Sequence, residues 1–498
     1  MPVRVVNAEE SGALDAAAIA SGIPSRALMR TAAFNAASVL CARYPNELRR
    51  GVTVFTGPGN NGGDGWALAS ALDAAGISVC VREVVAARTP DALAERQLAA
   101  PHLLNDTTPM GGVIVDAMLG TGSSGELRGA IVHAAAEMAD SRRHGAIVIA
   151  LDLPSGVDAT VGAAHECVIA DLTISFGSCK RGTLVSRAQC GEIVVVDIGL
   201  GEDPKVLPSL VDETFVRANT PRIAPDAHKG TRRSVAIVAG AGNLAGAAIL
   251  AATGALRSGA GLVKVVTASQ NMSAVHSALP EALVAPLEDA ASAITGWADA
   301  ILLGPGLGQD EQMKWFVRET LRAWRGAIVL DADALNVFSG ELGELAELLH
   351  DRPAIITPHP GEMARLVGRD VEYVLRNRFD IGLEVARNIG ATVLLKGTPT
   401  VVSSPDGVRQ VIASGTPVLA TGGSGDALGG MIATLLAQGC APNVAASCAA
   451  WVHGRAAELT PGVRGYRLMD VLNRLPQAWS LDGAAPRYPL LATLPALS

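Results

Sequence analysis

The sequence predicts an α/β protein built as two three-layer α/β sandwich domains. Short, nearly continuous runs of β-branched and aliphatic residues recur along the chain, and helical patterns lie between most of them. Strands apolar on both faces belong to a parallel sheet covered by helices on each side. The alternation is interrupted once, and 498 residues exceed what one hydrophobic core ordinarily serves.

The first series of candidate strands is GVTVFTG (51–57), ISVCVREV (77–84), GVIVDAMLG (112–120), GAIVIALDLP (145–154), LTISFG (172–177) and EIVVVDIG (192–199). From about 200 to 230, prolines and mixed charge break the rhythm, as expected of a linker. A second series follows: SVAIVAG (234–240), GLVKVVT (261–267), AILLGPG (300–306), AIVLDADAL (327–335), PAIITPHPGE (353–362), ATVLLKG (391–397) and TVVSS (400–404). No common repeat period relates the halves, so they read as a fusion of domains 1–215 and 222–498 rather than a duplication.

Composition narrows the function. Hydrophobic residues make up 49 % of the chain but never form a run of about 18 that would span a bilayer. The N-terminus carries acidic residues early, unlike a secretory or transit signal, so a soluble cytoplasmic protein is expected. A net charge of -8 and 3 % aromatic residues argue against nucleic-acid binding. Cys41, Cys80, Cys167, Cys179, Cys190, Cys440 and Cys448 contain no CxxC pair and read as reduced thiols. Lysine occurs only at positions 180, 205, 229, 264, 314 and 396, which draws notice to any lysine inside a motif.

In open α/β sheets ligands bind at the carboxyl ends of strands, where most of the glycine and acidic motifs fall. FTGPGNNGGDG (55–65) has the glycine turn of a phosphate cradle but no cationic side chain. It offers oxygens from Asn61 and Asp64 instead, which suits a hard cation, or hydroxyl and amide groups, better than bare phosphate. A plainer reading makes Asn60 and Asp64 turn and N-cap residues only. Other strand ends favour a site: Asp116 before a second glycine-serine loop (Gly120–Glu126) whose N–H groups suit a phosphate, then Asp152 and Ser155, then Lys180.

The motifs NNGGDG, DAMLGTG and DLPSGVD resemble those of the NAD(P)H-hydrate epimerases, over roughly residues 5–210. That family's Rossmann-like fold is implied for the first domain. The resemblance implies a potassium ion on Asn61, Asp116 and Ser155. It implies a hydrated nicotinamide nucleotide on Asp152, on the loop Asn60, Asn61, Gly62, Gly63 and Asp64, and on the loop Gly120, Thr121, Gly122, Ser123, Ser124, Gly125 and Glu126. The chain departs from the family at Cys179, where proline commonly precedes the lysine. Epimerising a ring hydroxyl needs ring opening, or loss and return of water, and hence an acid/base. Asp152 is the first candidate and Lys180 the second.

In the second half, ATGGSGDALGGMIATLL (420–436) carries a glycine loop into a helix. The helix N-terminus suits the charge that develops on a transferring phosphoryl group, and Asp426 is placed to take a proton from an attacking hydroxyl. Asp426 as a mere helix cap is the alternative. The loop resembles the GxGD signature of the ribokinase-like superfamily. With HKG (228–230), GNLAGA (242–247), GPGLG (304–308), DADAL (331–335), TPHPGE (357–362) and LLKG (394–397), the half resembles ADP/ATP-dependent NAD(P)H-hydrate dehydratases over about residues 222–480. The one departure in the loop is Ser424, where Thr is common.

This second resemblance implies that Lys396, Gly397, Thr398, Pro399, Thr400 and Gly425 contact the adenine nucleotide. It implies that Ala247, Gly306, His359 and Asp426 contact the hydrated substrate. Mg2+ is expected with ADP, the favoured donor, and self-association is expected by resemblance. The rival readings are a ribokinase-like vitamin or sugar kinase with an accessory sandwich, and a first domain that binds without catalysing.

Overall fold

The computed structural model describes residues 2–104, 111–163, 165–201 and 206–497. Part of the expected 200–230 linker, residues 202–205, lies outside the described residues, as does Ser498. The chain divides into two compact units, Met1–Leu207 with Ala485–Leu497, and Pro208–Ala484.

Among the described residues the first unit is built on a seven-stranded sheet. Its order is Leu490–Leu494, Glu192–Val196, Leu172–Phe176, Ile147–Leu151, Val113–Ala117, Val52–Thr56, Val79–Glu83. All neighbours are parallel except the first pair. Val52–Thr56, Val113–Ala117 and Leu172–Phe176 are buried at every position, which is why their sequences are apolar throughout rather than alternating. After Val52–Thr56 the chain pairs to one side and then returns to the other. A topological switch point therefore falls between Val52–Thr56 and Val113–Ala117, the place where such sheets bind ligands.

The second unit carries a ten-stranded sheet, in the order Leu283–Pro286, Leu262–Thr267, Ser234–Val238, Ala300–Leu303, Ala327–Leu330, Ala354–Ile356, Thr392–Leu395, Thr400–Ser403, Arg409–Ile412, Ser209–Leu210. It is parallel except where Thr400–Ser403 meets its two neighbours. Its switch point lies between Ser234–Val238 and Ala300–Leu303. Helix Ala245–Arg257 packs on helix Ser424–Ala437 through glycines. A Cβ on Gly254 would stand 2.1 Å from the Ala427 carbonyl oxygen, and one on Gly430 would stand 1.9 Å from that of Ala251. Among the described residues no helix is long and apolar enough to cross a membrane.

The division corrects the expected domains at both ends of the second one. Residues 209–210 pair with the second sheet and not the first. Residues 485–497 return to the first unit, where Leu490–Leu494 runs antiparallel to Glu192–Val196 and covers what would be an open edge. The sequence hid this strand because it is short, proline-flanked and paired far from its place in the chain. Val5–Val6, Cys179–Lys180, Leu283–Pro286 and Arg409–Ile412 are likewise strands beyond those expected, most of them at edges or in small ladders.

The glycine contacts predict a contrast. Gly430→Ala forces two helices apart and should cost about 1–3 kcal/mol. Gly343→Ala, in helix Leu342–Leu349 with nothing near its Cβ, should be neutral or stabilising by up to about 1 kcal/mol. Urea unfolding of the two variants measures the difference, and equal midpoints would refute it.

Candidate functional site

In the first unit the glycine-rich turn is a packing device. Gly57, Gly62, Gly63 and Gly65 have no left-handed φ, but a Cβ on Gly57 would lie 1.8 Å from the Met118 carbonyl oxygen. One on Gly62 would lie 2.0 Å from the carbonyl oxygen of Gly57, and one on Gly65 would lie 2.6 Å from the Ala117 Cβ. The glycines let helix Asn60–Ala74 settle onto the strand ends. That helix is capped by the backbone of Gly59 with no side-chain bond, so Asn60 and Asp64 do not act as side-chain N-caps.

At the switch point lies a cavity of about 550 Å³. Asn60, Asn61, Asp64, Gly120, Thr121, Gly122, Ser123, Asp152 and Lys180 all line it. Gly62 and Gly63 lie buried in helix Asn60–Ala74 and do not line it. Ser124, Gly125 and Glu126 do not line it either, and Glu126 faces His165 at 3.4 Å. The cavity also takes in Ser11, Asp15 and Ile19 from helix Ala8–Ala20, and Asp91. These four carry no glycine-turn or strand-end signature, which is why the motifs did not reveal them.

Asp152 sits just past strand Ile147–Leu151 with φ 65°, a left-handed backbone that aspartate tolerates better than most side chains. Lys180, 1 % exposed, ion-pairs with Asp152 Oδ1 and also donates to the carbonyls of Phe176 (3.1 Å) and Ser178 (3.4 Å). Its three donors are thus committed inside the protein. Burial, then Asp152 and Asp15, push the Asp64 carboxyl well above 3.8, with Lys180 opposing.

Beside the cavity wall, Asp116, Ser155 and Asn61 converge on the turn at Leu119. Asp116 Oδ1 accepts from the Ser155 hydroxyl (2.7 Å) and the Met118 N–H (3.1 Å), and Oδ2 accepts from the Ser155 N–H (2.7 Å). The Leu119 N–H donates to Ser155 Oγ (3.0 Å), and Asn61 Nδ2 donates to the Leu119 carbonyl (2.9 Å). Asn61 Oδ1 is left buried with no protein partner. A buried orphan oxygen usually signals an absent donor or ion. The set of amide, hydroxyl and single carboxylate oxygens fits a hard cation of low charge. Among the described residues no cluster of three His, Cys, Asp or Glu suits a metal, so a carboxylate-rich site is not what this is. Burial pushes Asp116 up from 3.8 to about 6, against the pull of the Ser155 and Met118 hydrogen bonds.

In the second unit, helix Ser424–Ala437 starts at Gly423, held at φ 87°. Asp426 lies in its first turn, and a Cβ on Gly425 would stand 3.2 Å from Lys396 Nζ. Lys396 donates to Asp331 Oδ1 at 2.8 Å and lies 3.8 Å from Glu362 Oε2. Burial, then Asp331, raises Asp426 to about 6, with Lys396 opposing and Asp333 and Glu362 adding to the rise. Burial opposes the Lys396 charge, but Asp331, Glu362 and Asp426 together raise its pKa. His359 caps helix Pro360–Val367, its Nδ1 accepting from the Gly361 N–H (3.0 Å) and the Glu362 N–H (3.3 Å). Burial, then Lys396 and Arg365, lowers its pKa.

Ala247 and Gly306 meet at the switch point, where a Cβ on Gly306 would be 3.0 Å from that of Ala247. Asp333 accepts from the Gly308 N–H at 2.9 Å and so joins the GPGLG loop to the acidic group. Gly397, Thr398, Pro399 and Thr400 form a turn after strand Thr392–Leu395, with the Thr400 hydroxyl donating to the Gly397 carbonyl at 3.0 Å. Sequence reasoning passed over Asp331, Asp333 and Glu362 as site residues although DADAL and TPHPGE contain them. The signal was there: carboxylates in the segments that follow strands, in a series where another strand ends at a lysine.

Asp116 sets a pH test. Between its unfolded value near 3.8 and its folded value of about 6 the folded chain holds more protons than the unfolded one, so stability falls as pH rises through that window. Above it the cost is about 3 kcal/mol. Asp116→Asn should therefore gain on the wild type in urea unfolding as pH climbs from 4 to 7. A difference that stays flat with pH would show that Asp116 titrates ordinarily.

A sequence model described as NAD(P)H-hydrate dehydratase matches residues 235–476, and one described as YjeF-related protein N-terminus matches residues 25–182. The bifunctional NAD(P)H-hydrate repair enzyme Nnr of Moorella thermoacetica is 33 % identical over 95 % of this chain and 96 % of that protein. Its Escherichia coli K12 counterpart is 34 % identical over 91 % and 89 %. A crystal structure of ADP/ATP-dependent NAD(P)H-hydrate dehydratase from Bacillus subtilis, co-crystallised with ATP/Mg2+, is 33 % identical and covers 54 % of this chain and 96 % of its own, with a TM-score of 0.49. With a third of its residues shared along nearly the full length of both proteins, this chain belongs to the family of bifunctional NAD(P)H-hydrate repair enzymes.

Proposed function

We propose that the first unit interconverts the R and S hydrates of NADH and NADPH, and that the second dehydrates the S hydrate with ADP, releasing AMP and phosphate. The observation that carries the reading is the pairing, in one chain of this family, of two unlike sites. One is a cavity lined by Asp64, Asp152 and Lys180 among apolar side chains, and the other a glycine-led helix terminus with Asp426 in its first turn and Lys396 near Gly425.

In the first site Asp152 is the acid/base, and Lys180, its donors already spent, holds it in place as a positioning residue. Asn60, Asn61 and Asp64 with Gly120, Thr121, Gly122 and Ser123, the parts of the two loops that line the cavity, bind the nucleotide. Asn61, Asp116 and Ser155 would hold potassium, which when bound supplies positive charge beside the buried Asp116 and a partner for Asn61 Oδ1.

In the second site Asp426, ionised above about pH 6, takes the proton of the ring hydroxyl as its oxygen attacks the terminal phosphorus of the nucleotide. The developing charge meets the first N–H groups of helix Ser424–Ala437 and the Lys396 ammonium. The phosphate then leaves from carbon 6 and a neighbouring proton is lost, restoring the ring double bond; phosphate departs where hydroxide would not. Lys396–Thr400 and Gly425 hold the nucleotide, with Mg2+ expected on its phosphates. Ala247, Gly306 and His359 hold the hydrate. ADP as the preferred donor, a homo-oligomeric state and a cytoplasmic location complete the reading. A small-molecule kinase shares Asp426 and the helix terminus but gives a stable phosphorylated product and leaves the first cavity without a task.

Purified protein with mixed NADH hydrates and ADP should restore dihydronicotinamide absorbance, and no recovery with either ADP or ATP would overturn the dehydratase reading. Asp426→Asn should lower that rate about 10²- to 10⁴-fold. The wild-type rate should rise with pH through about 6 as Asp426 ionises. Asn61→Ala should weaken potassium-dependent epimerisation and leave dehydration of pure S hydrate intact; loss of both activities would refute the division of labour.

A further inference from the structure

Helix Ala8–Ala20 is part of the first cavity, yet it precedes the matched residues 25–182 and contains none of the motifs. Ser11, Asp15 and Ile19, spaced four apart on one helical face, line the cavity. The helix is fixed to the active-site lysine. Strand Val5–Val6 pairs with Cys179–Lys180, Asn7 and Glu10 form a capping box at the helix start, and the Arg181 guanidinium donates to both Glu10 oxygens at 3.0 and 3.1 Å. An anchored helix that turns a carboxylate toward a ligand cavity is placed for more than packing.

Resting on the epimerase reading above, we propose that Asp15 is a further catalytic carboxyl of that site, exchanging a proton with the ring hydroxyl of the hydrate epimer that Asp152 does not serve. Opening the ring moves the hydroxyl proton to a carboxylate. The O–H electron pair becomes the second bond of a C6 aldehyde, and the C6–N1 pair goes to nitrogen, which takes a proton from a carboxylic acid. Closure on the other aldehyde face returns the nitrogen proton to the acid that gave it and gives the oxygen a proton from the second carboxyl, and proton exchange with water then resets the two carboxyls, so protons and electrons balance. The two epimers hold their hydroxyls on opposite faces of the ring. Asp152, pinned by Lys180 and by the Phe176 N–H (3.3 Å), cannot follow the oxygen from one face to the other.

A second carboxyl on a separate element gives the other face its own proton carrier. The charged groups facing Asp15 in the cavity are Asp64, Asp91, Asp152 and Lys180. Asp64 is driven furthest toward its protonated form and suits the ring nitrogen. Asp15 is exposed on its outer side, yet desolvation by the cavity wall raises its pKa, with Lys180 lowering it and Asp152 raising it, which places Asp15 in the same electrostatic group as the reacting pair. Asp91 is not among the charges that act on Asp15 or Asp64.

The test uses the full chain and each purified hydrate epimer of NADH, with the uncatalysed rate subtracted. Asp15→Asn should lower kcat for epimerisation about 100-fold, change KM little, alter the acid limb of the pH profile and leave S-hydrate dehydration at the wild-type rate. Asp15→Glu should restore part of kcat. A wild-type epimerisation rate in Asp15→Asn, or a loss that Asp15→Glu does not relieve and that leaves the pH profile unmoved, would overturn the proposal. A wild-type protein that epimerises neither hydrate would instead overturn the epimerase reading and this proposal with it.

Discussion

Each unit keeps a lysine at the carboxyl edge of its sheet, buried in the first and partly buried in the second, where an aspartate from the end of another strand meets it. Lys180 meets Asp152 in the first unit, and Lys396 meets Asp331 in the second. An ammonium taken out of water without such a partner costs several kcal/mol, so these pairs constrain how near the two strand ends must come. In the first unit Ile147–Leu151 pairs with Leu172–Phe176, the strand that leads to Lys180, and in the second Ala354–Ile356 stands between Ala327–Leu330 and Thr392–Leu395. Asp152 follows Ile147–Leu151 and Lys180 ends a small ladder beside Leu172–Phe176, while Asp331 follows Ala327–Leu330 and Lys396 follows Thr392–Leu395. The loops that complete each site hang from the same edge.

The two pairs differ in what is left over. Lys180 spends every donor on Asp152 and two backbone carbonyls, and so becomes part of the wall. Lys396 has one close hydrogen bond, to Asp331, and a second carboxylate at 3.8 Å, and it borders Gly425 where a side chain would crowd it. That ammonium still faces the glycine turn, where an anion would come. One arrangement therefore suits proton exchange on a neutral ring, and the other suits a transferring phosphoryl group.

Fold class was legible because hydrophobic patterning is a local property. Val52–Thr56 and Val113–Ala117 read as buried strands from their own residues. Leu490–Leu494 was not legible, since a short edge strand is specified by its partner Glu192–Val196 rather than by itself. The site divides the same way. Asn61, Asp116, Ser155 and Asp152 sit beside glycine turns that advertise a strand end, whereas Asp15 lies mid-helix in an alanine-rich stretch where only the fold gives it meaning. The glycines themselves were misleading alone: a turn that resembles a phosphate cradle proves to be the clearance needed for Gly57 to pass the Met118 carbonyl and for helix Asn60–Ala74 to seat on Gly57 and Ala117.

That clearance explains the missing lysine. With the helix seated on the strand ends, Asn61 reaches the Leu119 carbonyl with its amide nitrogen and turns its oxygen into a buried space beside Asp116 and Ser155. A lysine at position 61 would bring a cation on a long side chain into the place where the orphan oxygen now waits. It would set a permanent positive charge near Asp116, in a turn so close that a Cβ added to Gly120 would lie 3.1 Å from the Asn61 Cβ. With the proposed potassium ion, a short amide would leave that charge balance to the ion, while Asp116 keeps its hydrogen bonds to Ser155 and the Met118 N–H.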